Sequence, residues 1–233
     1  MTDPYAAAPY PTYRLIPSRF PPIGLFDTVA TAADLAAVMD LVGWTNDRLV
    51  ASRIARLPHQ EWVYGRPNAS IVMAAFLHVS PAGMRFNSPE LGAWYAAAEI
   101  ETAAAEVGHH LRREALARNV SEMVRTYRSY SARLDGLYRD IRGQQSQLAD
   151  IYASDRYDAS QRLGEAVRAS RRDGIVYDSL RRRGGINIVA YRPTMVLDVV
   201  QADHFEIRVS AVGRRIDVRK LTSPSRPEAA NGR

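Results

Sequence analysis

The chain contains no cysteine. Disulfide bonds, thiolate nucleophiles and cysteine-ligated metals are therefore excluded. The sequence also lacks a GxGxxG segment after a strand, a GxxxxGK[ST] loop, an HExxH pair and a GxSxG elbow. The histidines do not show the spacing of a metal site; they stand at His59, His78, His109, His110 and His204. Nucleophilic triads and the common metal hydrolases thus lose support, and no metal is expected.

Lysine is almost absent, since Lys220 is the only one among 31 basic residues. The net charge of +6 and the isoelectric point near 9.8 are nevertheless typical of nucleic-acid-binding proteins. The arginines are spread along the chain rather than gathered in one block, and arginine also suits bidentate capture of a small phosphorylated ligand. A basic nucleic-acid-binding module without catalysis is therefore the alternative function, and direct nucleic-acid binding is not the preferred one.

No apolar run approaches the roughly 20 residues of a membrane span, and residues 1–14 lack the basic and apolar regions of a secretion signal. Hydrophobic residues make up 46% and charged residues 24%, which indicates a folded globular protein rather than a disordered one. We therefore expect a cytoplasmic protein with no membrane partner.

Proline, glycine and hydrophobic spacing predict a single α+β domain over residues 1–233. Residues 1–30 are expected to form an extended arm and residues 31–80 a helical insertion. Residues 81–221 are expected to form the core of the domain and residues 222–233 a disordered tail. The insertion is predicted to contain helices over residues 31–43, 45–54 and 71–77, although the last of these also fits a strand.

Within the core, the clearest prediction is a helix over residues 99–118. Glu106 falls roughly 130° from the centre of its apolar stripe, at about 100° per residue, so its side chain can face a cleft. Residues 121–142 fit a helix by period and a strand by composition. A further helix is predicted over residues 159–172. The remaining segments predict strands over residues 83–87, 93–97, 174–177, 186–191, 195–200, 205–209 and near 216.

Several short motifs occur in a characteristic order along the chain. An RFN segment begins at Arg85, Tyr95 follows, Glu106 lies in ETAAAE, and Ser179 lies in GIVYDSLRRRGG. Together they resemble the RES domain, a family named for its Arg, Glu and Ser. The segment YRLIPSRFPP at residues 13–22 is similar to the family's opening. The resemblance covers nearly the whole chain.

The resemblance implies a toxin of a bacterial type II toxin–antitoxin pair. It also implies a fold related to ADP-ribosyltransferases, with a mixed β core, flanking helices and a helical N-terminal insertion. The substrate would be NAD⁺, cleaved at its nicotinamide–ribose bond, with ADP-ribose passed to inorganic phosphate or to a protein such as phosphoribosyl-pyrophosphate synthetase. The implied partner is an antitoxin that carries a helix-turn-helix and occludes the active site.

The resemblance also implies roles for individual residues. Cleavage leaves positive charge on the ribose, and Glu106 matches the family's carboxylate that would stabilise that charge. Arg85 and Arg14 match positions that would bind the pyrophosphate through arginine's two-pronged guanidinium. Arg19 competes with Arg14 for its role, and each of these residues also has a plain surface interpretation.

Two further positions carry alternatives. Tyr95 would stack on nicotinamide or bond a ribose hydroxyl, or it would be a half-buried strand tyrosine. Ser179 has no nearby histidine to activate it, so we expect a hydrogen-bond donor that positions substrate rather than a nucleophile. The same serine also fits the N-cap of a helix that begins at Leu180.

Overall fold

The computed structural model describes residues 4–20, 26–29, 31, 52–53 and 55–222. Nine strands form one mixed sheet in the order β1-β5-β6-β7-β3-β2-β4-β8-β9. All neighbours are antiparallel except β5 and β6, which are parallel. The strands are β1 (Tyr5–Ala6), β2 (Thr12–Pro17), β3 (Trp94–Ala97), β4 (Glu122–Leu134), β5 (Tyr138–Asp140), β6 (Gly174–Asp178), β7 (Ile186–Ala190), β8 (Val196–Ser210) and β9 (Ile216–Leu221).

The sheet is weakly joined in its middle, between β3 and β2. These two strands share the single register pair Tyr13↔Ala97, whereas β2 pairs with β4 at six positions and β3 with β7 at four. One half of the sheet therefore runs from β1 to β3 and the other from β2 to β9. Where two strands separate, backbone N–H and C=O groups are left without partners in the ladder. The candidate site lies at this gap.

Helices α1 (Ala69–Leu77), α2 (Ile100–Ala117) and α3 (Asp158–Ala169) pack against the sheet. Helix α2 contacts β2, β4 and β8, and it buries Ala103, Ala104 and Leu111 in a cluster with residues of those strands. Burial of a leucine contributes about 2 kcal/mol. A Cβ added at Gly108 on this helix would lie 2.7 Å from the Ile216 side chain, so α2 packs close to β9 there. The structure confirms the predicted helices at residues 71–77, 99–118 and 159–172, with small shifts at their ends.

Helix α1 is capped by a residue distant in the sequence. The carboxylate of Asp27 accepts hydrogen bonds from the backbone N–H groups of Asn68 at 3.0 Å and Ser70 at 2.7 Å. A carboxylate at this end satisfies free N–H groups and complements the helix dipole. The helices predicted over residues 31–43 and 45–54 and the predicted tail lie outside the described residues, apart from a few positions. The division into arm, insertion, core and tail stays a prediction, although Thr12–Pro17 of the arm forms a strand inside the sheet.

Three predictions of local structure need correction. Residues 83–87 form a tight turn rather than a strand, because Gly83 has φ +71° and the N–H of Met84 binds the carbonyl of Asn87 at 2.9 Å. The helical alternative for residues 121–142 is wrong, since strand β4 fills most of that segment between β2 and β8. The strands predicted at residues 195–200 and 205–209 are one strand, β8.

The α+β fold class is confirmed by the mixed sheet and its flanking helices. No helix among the described residues combines the length and the hydropathy that a membrane crossing needs.

Candidate active site

A cavity of about 250 Å³ opens at the gap between β2 and β3. Its walls come from those strands, from α2, from β7 and from the turn at residues 83–87. Four of the candidate residues singled out in the sequence line this cavity: Arg14, Arg85, Tyr95 and Glu106. Ser179 and Arg19 do not line it. Ser179 reaches the cavity through its contact with Glu106. Residues far apart in the chain therefore meet at one place.

Glu106 stands on α2 and is held through one carboxylate oxygen. Its Oε1 accepts a hydrogen bond from the Ser179 hydroxyl at 2.7 Å and another from the Asn187 amide nitrogen at 2.7 Å. Both distances are short, as expected when the acceptor is charged. No described side chain donates to Oε2. The site thus contains a half-buried carboxylate with one oxygen fixed by protein and the other open to a ligand.

Ser179 lies in the turn that joins β6 to β7 and not at the start of a helix, so the N-cap alternative is wrong. Its hydroxyl oxygen accepts hydrogen bonds from the backbone N–H groups of Arg181 and Arg182, both at 3.1 Å. With those acceptor positions filled, the hydroxyl proton is directed to Glu106. In this structure Ser179 therefore holds the carboxylate. Whether it also contacts substrate stays a prediction.

The turn after Ser179 is attached to the first turn of α2. Arg182 forms an ion pair with Glu99 and donates to the hydroxyl of Thr102 at 3.1 Å. A Cβ built on Gly185 would lie 2.7 Å from that Thr102 hydroxyl, so no larger residue fits there without movement. The preceding Gly184 has φ +74°, which glycine adopts at little cost. The two glycines of RRRGG thus let Ser179 approach α2.

Arg14 crosses the gap in the sheet. Its guanidinium donates to the carbonyl of Tyr95 on β3 at 3.0 Å and stacks 4.9 Å from the ring of Trp94. Its Nε is buried and has no hydrogen-bond partner in the described structure. Burial lowers the pKa of Arg14 to about 10, and the nearby Tyr95 opposes that shift. Arg19, the competing candidate, is exposed and stacks on Phe20 outside the cavity wall.

Arg85 follows the left-handed Gly83 in the tight turn. Its guanidinium donates to the backbone carbonyls of Ala153 at 2.8 Å and Ile151 at 3.3 Å, and it lies 4.8 Å from the ring of Tyr157. None of the described carboxylates forms an ion pair with it. A guanidinium without a carboxylate partner retains positive charge for an anionic ligand. Arg85 is half-buried, so it is neither a core residue nor a fully solvated one.

Tyr95 is a half-buried strand tyrosine whose hydroxyl is already bonded to the protein. That hydroxyl donates to Asn87 Oδ1 at 2.8 Å and accepts from the backbone N–H of Phe86 at 2.9 Å. Burial raises the pKa of Tyr95 far above its ordinary value, so the phenol stays neutral. Tyr95 therefore fixes the turn that carries Arg85, while its ring contributes to the cavity wall.

Several residues of this site were not predicted from the sequence, among them Asn187, Arg181 and His110. Asn187 interrupts an apolar strand, INIVA, and a polar residue in a buried strand is a usable signal. Arg181 and His110 line the cavity but carry no comparable signal, because basic residues are common in this chain. Desolvation lowers the pKa of His110, while the charge of Glu106 opposes that shift.

His109, beside it on α2, is partly buried and its Nε2 has no hydrogen-bond partner among the described residues. Desolvation, helped by nearby Arg181, lowers the pKa of His109 to about 4. Both histidines are therefore held toward the neutral state. Among the described residues, no group of three or more His, Asp or Glu side chains is placed to hold a metal ion.

Comparison with known proteins places this geometry in context. A family model described as the RES domain matches residues 53–210. An uncharacterized protein, y4oC, from Sinorhizobium fredii (strain NBRC 101917 / NGR234) is 26% identical over 199 residues, which cover 83% of this chain and 80% of that protein. A crystal structure of the M. tuberculosis MbcT-MbcA toxin-antitoxin complex contains a chain that is 12% identical. That likeness covers 85% of this chain and 86% of the other, with a TM-score of 0.47.

Proposed function

This chain belongs to the RES-domain family, and we propose that it is a toxin that cleaves the nicotinamide–ribose bond of NAD⁺ and transfers the ADP-ribose to an acceptor. The proposal rests on the way in which the Glu106 carboxylate is hydrogen-bonded in the cavity. Its carboxylate lies in a cavity with Oε1 fixed by Ser179 and Asn187, which leaves Oε2 for a ligand. A fixed carboxylate of this kind stabilises positive charge that develops on a sugar.

The proposed reaction needs little proton transfer at the first step. Nicotinamide leaves as a neutral base, and the bonding electrons go with its ring nitrogen, so the ribose acquires oxocarbenium character. Glu106 would stabilise that charge and hold a ribose hydroxyl. The acceptor's oxygen then forms the new bond to the ribose carbon and loses its proton. His110, held toward its neutral form at the cavity wall, is available to accept a proton there.

The positive residues of the cavity suit the pyrophosphate of the same substrate. Arg14, Arg85 and Arg181 line the wall, and none of them forms an ion pair with a described carboxylate. Arginine binds phosphate oxygens through two parallel N–H groups. Tyr157 and Tyr177 add aromatic surface against which a planar ring can pack.

The cavity is smaller than a typical site for a whole ligand. At about 250 Å³ it falls below the range of roughly 300–1,000 Å³ for pockets that enclose small molecules. The proposal therefore puts the nicotinamide riboside end inside, near Glu106, and the adenosine end across the more exposed surface beside Arg181.

The alternative, a basic nucleic-acid-binding module, is weakened by the ion pairs of the surface. Many of the basic side chains already bind a carboxylate; they are Arg56, Arg118, Arg125, Arg133, Arg142, Arg156, Arg168, Arg182, Arg192, Arg208, Arg215, Arg219 and Lys220. Phosphate contacts depend on free positive charge. Binding that collapses as salt rises would restore this alternative.

The acceptor and the partner belong to the proposal as well. Inorganic phosphate and a protein such as phosphoribosyl-pyrophosphate synthetase are the acceptors to test, and the protein would act in the cytoplasm, where both meet NAD⁺. The proposed partner is an antitoxin with a helix-turn-helix that covers the cavity and so keeps NAD⁺ out.

Expression in a bacterial host tests this function as a whole. Without the antitoxin, growth should stop while cellular NAD⁺ falls or one protein gains ADP-ribose. Co-expression of the antitoxin should restore growth. Normal growth with soluble protein, unchanged NAD⁺ and no modified protein would contradict the proposal.

A further inference from the structure

Asn187 occupies a position where an asparagine is unfavourable unless it is bonded. It lies on β7, within the apolar segment INIVA, and the residue is only 3% exposed. Burial of an amide without a partner costs at least about 1–3 kcal/mol. An apolar residue would continue the strand without that cost. The asparagine therefore has a reason beyond the stability of the strand, and its bond to Glu106 supplies one.

The geometry of that bond is specific. Asn187 Nδ2 and Ser179 Oγ both lie 2.7 Å from the same oxygen of Glu106, Oε1. The two donors come from opposite ends of the β6–β7 turn, and Asn187 is paired in register with Ala97 of β3 and with Tyr177 of β6. The backbone on both sides of the asparagine is thus fixed, so its amide cannot shift far.

Two donors on one oxygen do more than one donor can. A glutamate carboxylate held by a single hydrogen bond can still rotate about the bond between Cγ and the carboxyl carbon. This rotation interchanges Oε1 and Oε2. A second donor from a different direction defines the plane of the carboxylate and leaves Oε2 as the oxygen that faces the cavity. Ser179 alone cannot provide this, because its hydroxyl has only one proton to donate.

We propose that Asn187 is a positioning residue: its side-chain amide fixes the orientation of the Glu106 carboxylate so that Oε2 meets the substrate ribose. This inference rests on the proposed NAD⁺ cleavage. Asn187 itself acts through Glu106. The expected result of losing it is a fall in turnover with little change in NAD⁺ affinity, because the affinity comes from the arginines and the aromatic wall.

The test compares Asn187→Ala and Asn187→Asp with wild type for nicotinamide release from NAD⁺ between pH 5 and pH 8. Asn187→Ala should lower kcat by roughly 10- to 100-fold, the scale of a small misplacement of a reacting group, and change KM by less than about threefold. At pH 8 the kcat of Asn187→Asp should be as low as that of Asn187→Ala, because two carboxylates then face each other. Its rate relative to wild type should rise toward pH 5, since a proton shared by the pair restores a donor.

If Asn187 served packing alone, the rate of Asn187→Asp relative to wild type would not vary with pH. The matched control is Asn119→Asp, the same chemical change at an exposed residue, and its ratio to wild type should stay flat. A folded Asn187→Ala with wild-type kcat, or an Asn187→Asp ratio that is flat with pH, overturns the inference while wild-type activity keeps the proposed function intact.

If wild type releases no nicotinamide, the proposed function fails, and a measurement without substrate decides the positioning claim. The side-chain amide of Asn187 should give a proton NMR signal displaced downfield by its carboxylate partner and protected from exchange. Glu106→Ala should remove both features. A signal that is the same in wild type and Glu106→Ala would show that the bond is not made and would overturn the inference.

Discussion

Glutamine in place of Glu106 keeps the length and shape of the side chain and removes its charge. The carboxamide oxygen can still accept from Ser179 and Asn187, since both donate to the single oxygen Oε1. Its NH₂ group then takes the place of Oε2. The open side of the group changes from an anionic acceptor into a neutral donor. The substitution therefore alters the face that meets substrate and leaves the protein-facing side in place.

The size of the effect follows from these contacts. Loss of one preorganised electrostatic contact lowers turnover by roughly 10²–10³-fold, or about 2.7–4 kcal/mol. For stability, two charge-assisted hydrogen bonds become neutral ones, at a cost of about 1 kcal/mol each. The relief of a desolvated charge offsets part of that cost. Since about 1 kcal/mol moves Tm by roughly 2–4 °C at this size, Tm should fall by at most about 8 °C.

The assay is release of nicotinamide from NAD⁺, with NAD⁺ affinity and Tm measured on the same samples. Glu101→Gln is the matched control, because Glu101 is exposed on the same helix. Glu99→Gln is unsuitable as a control, because Glu99 pairs with Arg182 and so supports the Ser179 turn. A folded Glu106→Gln that works at the wild-type rate would refute the reasoning, and so would equal losses in Glu106→Gln and Glu101→Gln.

Three further changes test separate parts of the account. Arg85→Ala should weaken NAD⁺ binding by at least roughly 10-fold, because it removes a charge-assisted partner, and should lower Tm by only about 2–4 °C; titration of NAD⁺ and a thermal melt check this. Gly185→Ala should reduce turnover, because a Cβ there meets the buried Thr102 hydroxyl at 2.7 Å and pushes the Ser179 turn away from α2. His109→Gln should flatten the dependence of the unfolding free energy on pH. The pKa of His109 is lowered to about 4 in the folded state, so as the pH falls the unfolded chain binds the proton first. The contribution of His109 to wild-type stability is therefore full above about pH 6.5 and declines as the pH falls toward 4.

Each of these predictions has a control and a contrary result. Arg183 is exposed in the turn after Ser179, so Arg183→Ala should leave NAD⁺ affinity unchanged. An Arg85→Ala variant that does not fold would instead make Arg85 a structural residue. Gly184→Ala strains the backbone but meets no atom within 4 Å, so it should keep more activity than Gly185→Ala. Parallel stability curves for wild type and His109→Gln between pH 5 and 6.5 would contradict the assignment of that titration to His109.

The fold could be predicted where local pattern and burial agree. Helix α2 repeats small and apolar residues on one face, and the sheet covers that face, so the sequence and the packing give the same answer. Strand β4 could not be assigned from the sequence, because its tyrosines also fit a helical period. It is a strand because it pairs with β2 and β8, and these strands lie more than 60 residues away from parts of it in the sequence. The turn at residues 83–87 depends on the positive φ of Gly83, which the surrounding residues did not reveal.

The sequence pointed to most of the residues that meet in the candidate site, but not to the contacts between them. The family motif led to Arg85, Glu106 and Ser179, and the structure brings Glu106 and Ser179 into contact. The sequence offered no means to find that Ser179 and Asn187 share one oxygen, since that depends on the register of β7 against β3 and β6. It also could not separate Arg14 from Arg19, because only the path of β2 carries one of them into the gap of the sheet.

The central claim is cleavage of the nicotinamide–ribose bond, and one incubation tests it most directly. Purified wild-type protein is mixed with NAD⁺, with and without inorganic phosphate, and the products are analysed by mass, with Glu106→Gln in parallel. The account predicts free nicotinamide together with an ADP-ribosyl product from wild type, and at least roughly 10²-fold less of both from Glu106→Gln. Intact NAD⁺ after incubation with folded wild-type protein, under both conditions, would contradict it.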